Sequence, residues 1–305
     1  MLSVVEAEVM KQPAALKSLA GQSLDAAPAG SVFVGAGDSF AASSIACRVS
    51  SAKHLALDPY ELITAPVLAK GRNVYFVSVT RKTASNLAAA KAVKGLAKKR
   101  LAVTASTEGK LVGATDSAIF IPYKIVPRLP GTLSFSLSLL TLLRLAGTSF
   151  NCDFSKIHSV AERRAGRMLL SKRRLTYFLG NGPAFPTCLY SAFKLHEILG
   201  EPAQACMLEE FGHASLFALS GEDAVNAFCA FDPLGLGERL TRSLNRDGFR
   251  ASAIEPVGSN PWEQVFYLVF LSQFAALKRA KLKGLLRPYS AAARKKLTVS
   301  DSLIY

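Results

Sequence analysis

The chain has 305 residues, half of them hydrophobic and 19% charged, which provides core for two domains of ordinary size and excludes wholesale disorder. Its five cysteines (Cys47, Cys152, Cys188, Cys206 and Cys229) form no C-x-x-C pair and have no histidine at ligand spacing, so small buried thiols are expected, with no disulfide framework and no metal site. A net charge of +15 suits small anions such as sugar phosphates. The basic runs Lys91–Arg100, Arg163–Arg174 and Lys278–Lys283 lack interleaved aromatics and any nucleic-acid motif, so they read as solvated helix faces with no nucleic-acid partner.

In chain order, a helix over Val4–Leu19 comes first. A short apolar run, Ser31–Val34, then ends in Gly35 and Gly37, and an Ala-rich helix follows over Ser39–Val49. Val74–Val79 reads as a strand, Thr83–Lys98 as a helix, and Leu101–Thr104 and Ala118–Ile121 as strands. A helix over Thr132–Leu145 closes the first half, and Phe154–Leu170 reads as a linking helix. Short strands alternating with longer helices argue for βαβ units and a parallel sheet. No basic and apolar leader opens the chain. Leu133–Gly147 and Val265–Leu277 are too short to span a bilayer, so a cytoplasmic protein with no membrane partner and two buried core helices is expected.

The pattern then restarts. Phe33, Gly35, Gly37 and Phe40 are echoed at a single offset by Phe178, Gly180, Gly182 and Phe185. Val74–Val79 is matched by Val225–Ala230, and Leu101–Thr104 by Ala251–Ile254. An internal duplication follows, with domains over 1–150 and 151–305.

A strand that ends in G-x-G at a helix start offers free backbone N–H groups and the positive end of a helix dipole, which suits a phosphate. Gly37, Asp38 and Ser39 form one such turn. Ser78, Thr80 and Thr83, with Arg81 and Lys82, form another at the end of the next strand. The rival reading of these hydroxyls is ordinary helix N-capping. The third glycine of a dinucleotide fingerprint is missing, so no cofactor is expected. In the second half Asp232-Pro233 replaces the hydroxyls, which leaves one phosphate site, in the first half.

Several runs together resemble the double sugar-isomerase (SIS) domain family, nearest the isomerase half of the glucosamine-6-phosphate synthases. The run Glu8 to Pro13 (E-V-M-K-Q-P) is similar to that family's E-x-x-x-Q-P, and Gly37 to Phe40 to its G-T-S-Y. Ser78 to Thr83 resembles S-x-S-G-E-T, and Thr132 to Phe135 resembles T-x-S-F. In the second half, Ala192 to Ile198 (A-F-K-L-H-E-I) resembles A-L-K-L-K-E-I, Glu210 to His213 resembles E-L-K-H, and Lys295 to Val299 resembles K-S-V-T-V. The resemblance implies an α/β fold of two tandem SIS domains, each a flavodoxin-like, doubly wound parallel sheet flanked by helices.

It also implies roles. Glu197 matches the carboxylate that shuttles a proton between C1 and C2 of a sugar phosphate. His213 matches the ring-opening histidine delivered by a partner subunit, which implies a homodimer with shared active sites. Lys295, with Lys296 adjacent, matches the tail lysine that forms a Schiff base in the synthases. Gly37, Asp38, Ser39, Ser78, Thr80 and Thr83 match the phosphosugar-binding loops. Three departures stand out: Asp38 replaces a threonine, Arg81-Lys82 replace Gly-Glu, and Tyr190 replaces a glutamate one turn before Lys194. No glutaminase nucleophile is present, so glutamine-dependent synthesis by this chain alone is not expected. The leading expectation is a phosphosugar isomerase, with ammonia-dependent amination or deamination as a variant. The alternatives are a non-catalytic sugar-phosphate sensor and a phosphoglucose/phosphomannose isomerase.

Overall fold

A computed structural model describes residues 1–80, 83–106, 108–150 and 153–304. Two all-parallel sheets organise the chain. The first contains β1 (Val32–Val34), β2 (Leu55–Leu57), β3 (Asn73–Val77), β4 (Lys99–Thr104) and β5 (Ser117–Phe120) in the order β2-β1-β3-β4-β5. The second contains β6 (Thr176–Leu179), β7 (Ala203–Cys206), β8 (Ala224–Phe228) and β9 (Ala251–Ile254) in the order β7-β6-β8-β9. Both orders start with the second strand, then the first, third and fourth. This repeated topology is the duplication that the glycine offset points to. It is also the doubly wound arrangement in which strand order reverses beside the first strand.

The inner strands β1, β3, β6 and β8 are short, buried and rich in Val and Phe, as strands covered on both faces must be. Val32, Val34, Val74, Phe76 and Ala102 form the first core with Leu62 and Ala89 from flanking helices. Tyr177, Leu179, Val225 and Ala227 form the second with Phe211 and Leu244. The edge strands β2 and β7 escape the sequence reading. They read Leu-Ala-Leu and Ala-Gln-Ala-Cys, with no β-branched or aromatic residue to mark them.

Two compact units hold these sheets, and neither is contiguous in sequence. One comprises Met1–Pro13 with Cys152–Ala292 and carries the second sheet. The other comprises Ala14–Asn151 with Ala293–Tyr305 and carries the first. A single cut between 150 and 151 therefore describes the sheets but not the terminal segments. The opening helix, Leu2–Ala20, changes unit after Pro13, a residue that cannot donate a helical hydrogen bond.

Both apolar stretches are buried helices. Leu133–Leu145 packs on Asp38–Val49 in the first-sheet unit, and its Ser138 and Thr141 hydroxyls donate back to the carbonyls of Ser134 and Leu137. That satisfaction explains how serine and threonine sit in a buried helix. In the other unit, Pro261–Leu282 packs on Phe154–Arg164 and Ala184–Lys194. No helix among the described residues is long and apolar enough to cross a membrane.

Two expected helix ends and the expected burial of the cysteines change. The helix expected over Thr83–Lys98 ends at Ala92, and Lys99 and Arg100 already belong to β4, so Lys91–Arg100 is not one helix face. The helix expected to Leu170 ends at Arg164 and tightens into a 3-10 turn. Cys47 and Cys188 are buried, but Cys206 and Cys229 are only half-buried, and Cys152 lies outside the described residues.

His158 ties the opening helix to its unit. Its buried Nε2 donates to the Val9 carbonyl at 2.9 Å, and the ring lies edge-on to Phe270 and Phe274. Burial pushes its pKa below the ordinary value, with the Val9 bond only partly opposing. The unfolded chain then binds more protons, so stability is lost as pH falls below about 6.5, until the pH passes the lower folded-state value. His54 is shifted in the same direction by its own burial. A His158→Gln variant, which still donates to Val9, should flatten part of that acid slope in unfolding titrations; an unchanged slope would exclude His158 as its source.

Candidate functional site

The carboxyl ends of β1 and β3 lie side by side, because β1 pairs with β3 from Val32 opposite Val74 to Val34 opposite Phe76. This is the point where strand order reverses, the usual ligand crevice of such sheets. The chain turns from β1 into the helix Asp38–Val49 through Gly35, Ala36 and Gly37. A Cβ on Gly35 would lie 2.7 Å from the Ser39 Cβ, and Gly37 has φ +57, so neither position accepts a side chain without strain. Asp38 and Ser39 begin the helix and are half-buried. Gly37 is its N-cap and supplies no side-chain acceptor.

After β3 come buried Ser78 and half-buried Thr80, and Thr83 then caps the helix Ala84–Ala92. Thr83 makes no side-chain cap bond. Its Oγ1 instead lies 3.2 Å from the Ser78 Oγ, so the capping explanation for this hydroxyl does not hold. Asn86 donates to the Val77 carbonyl at 2.9 Å and fixes the helix against the strand end. Arg81 and Lys82 lie outside the described residues. Adjacent helix N-termini and the hydroxyls of Ser39, Ser78, Thr80 and Thr83 are the groups that can receive an oxyanion here.

The matching point of the second sheet, between β6 and β8, is filled by the chain itself. Gly182, at φ +50, lies against Phe231, whose own φ is +62. Asp232 accepts a 2.7 Å hydrogen bond from the Gly237 N–H at the start of the helix Leu236–Arg246. A carboxylate of the protein thus takes up an N–H group at this helix start that an anion could otherwise use.

Glu197 does not sit on a regular α-helix. The α-helix runs Ala184–Lys194 and then widens into a π turn over Leu195–Leu199, a feature often found at functional positions. Gly200 ends it at φ +69, and a Cβ there would meet the Tyr289 ring at 2.5 Å. The side chain of Lys194 is 0% exposed, and its Nζ donates to the Glu197 Oε2 at 2.5 Å. The same ammonium stands 4.9 Å from the centroid of the Tyr190 ring. Tyr190 in turn accepts from Gln273 at 2.8 Å, and Gln273 accepts from Gln12 at 2.5 Å. This buried polar chain ends on a carboxylate that is 35% exposed. Glu197 is therefore fixed from inside and open from outside.

His213 ends the short helix Leu208–His213. Its ring is 73% exposed and 3.6 Å from Glu209, itself on the surface. Lys295 is exposed on the helix Arg294–Ile304. Glu197 and His213 belong to the second-sheet unit, while Lys295 belongs to the unit that carries Ser39, Ser78 and Thr83. The sequence reading did not identify Gln273 or Gln12 as supports for Glu197. The available signals were a glutamine interrupting the apolar run Val265–Leu277 and the glutamine of the opening motif.

No family model matches the chain, and no curated protein matches it by sequence. Solved structures match its fold over nearly the whole length. Glucosamine-6-phosphate deaminase from Thermotoga maritima superposes with TM-score 0.74 at 19% identity, covering 92% of this chain and 95% of that one. The C-terminal domain of glucosamine-fructose-6-phosphate aminotransferase from Francisella tularensis gives 0.71 at 16%, covering 93% and 97%. Tagatose-6-phosphate ketose/aldose isomerase from Escherichia coli gives 0.71 at 18%, covering 94% and 96%. At these identities the likeness establishes the fold alone, two α/β units each built on a parallel sheet.

The Lys194–Glu197 pair makes a stability prediction. Glu197→Ala removes the carboxylate that faces a fully buried ammonium and should cost about 1–3 kcal/mol. Glu197→Gln, which keeps an acceptor in place, should cost clearly less. Equal losses in denaturant unfolding of the two variants would show that the pair does not hold this turn.

Proposed function

We propose that this chain is a sugar-phosphate isomerase, acting on a hexose or amino-hexose 6-phosphate by moving a proton between C1 and C2. The observation that carries the reading is the carboxylate of Glu197, anchored by buried Lys194 on a π turn and open to solvent on its other side. Aldose–ketose interconversion needs one base that can reach two neighbouring carbons, and such a base must be held in place yet accessible. In this reading Gly37, Asp38, Ser39, Ser78, Thr80 and Thr83 receive the phosphate. Glu197 takes the proton from one carbon and returns it to the other. The exposed His213 assists ring opening from a partner subunit in a homodimer, and Lys295 offers an amine if the substrate carries nitrogen.

The fold is shared with a deaminase, an aminotransferase domain and a ketose/aldose isomerase, and this supports the class but not the substrate. A second reading, a sugar-phosphate sensor without turnover, draws support from Asp38, an acidic side chain in the first turn of the helix that would face the phosphate.

Glu197→Gln should bind hexose phosphates as the parent does but lose solvent-deuterium exchange at C1 or C2 by about 10²–10⁴-fold. Ser39→Ala with Thr83→Ala should weaken binding itself. Full exchange in Glu197→Gln would sink the assignment of the base. A parent protein that binds hexose phosphates without any exchange would favour the sensor. Sedimentation should give a dimer mass at micromolar concentration, and a mass of one chain would remove the shared role of His213.

A further inference from the structure

The basic run Lys91–Arg100 is not the solvated helix face that its composition suggests. Lys91 lies in the last turn of the helix Ala84–Ala92, Lys94 follows in the turn beyond it, and Arg100 is already in β4. With Lys110, the first residue of the short helix Lys110–Gly113, they line a cavity of about 420 Å³. Leu87 and Ala114 give it an apolar wall.

The four cations divide into two kinds. Arg100 is structural: its guanidinium donates to the Ala114 carbonyl at 2.9 Å, to the Ala90 carbonyl at 3.3 Å and to the Asp116 carboxylate at 2.7 Å. That contact holds the Asp116 carboxyl below the usual carboxylate range and neutralises Arg100 locally. Lys91, Lys94 and Lys110 are exposed, and among the described residues none of the three is in an ion pair. A lysine near a helix C-terminus offsets the dipole, which would account for Lys91 and Lys94. Lys110 opens the four-residue helix Lys110–Gly113, which is too short for a dipole to favour or oppose a cation there. Lys91, Lys94 and Lys110 thus place three exposed ammonium groups, without an ion-pair partner among the described residues, around one concavity.

We propose that this cavity binds a small molecule carrying a diphosphate group, a site separate from the phosphate loops. The charge of a diphosphate matches the three lysines better than that of a single phosphate does. The volume lies in the range of small-molecule pockets, roughly 300–1,000 Å³, and the lining holds no aromatic ring for base stacking along a strand. The site is displaced from the Thr83 end of its helix by about 12 Å along the axis, from 1.5 Å per residue. It does not depend on the isomerase reading.

The test titrates the full chain with inorganic pyrophosphate, with a nucleoside diphosphate and with a short single-stranded RNA, following thermal midpoint and calorimetric Kd. Pyrophosphate should stabilise the parent, and Lys94→Ala with Lys110→Ala should weaken its binding at least about tenfold. Ser39→Ala with Thr83→Ala should leave that binding unchanged, and the lysine variant should leave hexose-phosphate binding unchanged. Tighter binding of the nucleoside diphosphate would support the site and place the nucleoside against Leu87 and Ala114. Equal binding would support it with the diphosphate as the whole determinant. No stabilisation by either probe, a response insensitive to the lysine variant, or abolition by the Ser39/Thr83 variant would overturn the proposal. So would RNA binding that exceeds pyrophosphate binding and is lost in the same lysine variant.

Discussion

A parallel strand that feeds a helix packed on its own sheet must reverse direction within a few residues, and the helix must start in contact with the strand end. Here that reversal depends on Gly35, where even a methyl group would collide with the Ser39 side chain, and on Gly37, whose backbone is left-handed. Glycine removes the obstacle and also leaves the first N–H groups of the helix uncovered by side chains. The geometry that closes the βα turn is therefore the geometry that can accept an oxyanion. The Ser78–Thr83 loop adds hydroxyls beside it because β3 is the hydrogen-bonded neighbour of β1.

The second copy shows the same constraint resolved the other way. Gly180 and Gly182 occupy the matching turn, and an added Cβ at Gly180 would meet Ala184 and Cys188 at 3.0 Å. The turn is retained because strand and helix still have to pack. What changes is the neighbouring loop, where Phe231 covers Gly182 and Asp232 satisfies the Gly237 N–H. The glycines record architecture in both halves, and only the second loop separates a cradle that can take a ligand from one filled internally. A glycine pattern alone would have assigned two sites.

This difference explains what could be read from the sequence. The repeat, the parallel α/β class, the central strands and the two buried helices were legible because each rests on local periodicity or on a glycine with a steric cause. The edge strands β2 and β7 were not, since three and four residue pairs to a single neighbouring strand hold them, not their own propensity. The run Lys91–Arg100 misled because charge hides where a helix ends and a strand begins. Membership of the terminal segments rests on long-range contacts such as His158 with Val9, and no local pattern reports those. At the candidate site, the hydroxyls, Glu197 and its helix neighbours Lys194 and Tyr190 could be named, while the glutamines behind them could not. Tyr190, Gln273 and Gln12 meet only in the folded unit.

That support bears on how the chain departs from the SIS pattern at Tyr190. A buried ammonium loses its hydration at a cost of several kcal/mol, recovered only with good partners. Where the pattern has a second carboxylate one turn back, this chain places an aromatic face 4.9 Å from Lys194. The ring attracts the cation without carrying a charge of its own. The carboxylate of Glu197 then faces the ammonium without competition from an acid at position 190, and Lys194 stabilises its charge. A protein that only binds a sugar phosphate gains little from burying a lysine to fix a half-exposed acid on an irregular turn. A proton shuttle gains a base of fixed position. On this physical ground the catalytic reading outweighs the sensor reading, even though Asp38 stands at the phosphate turn.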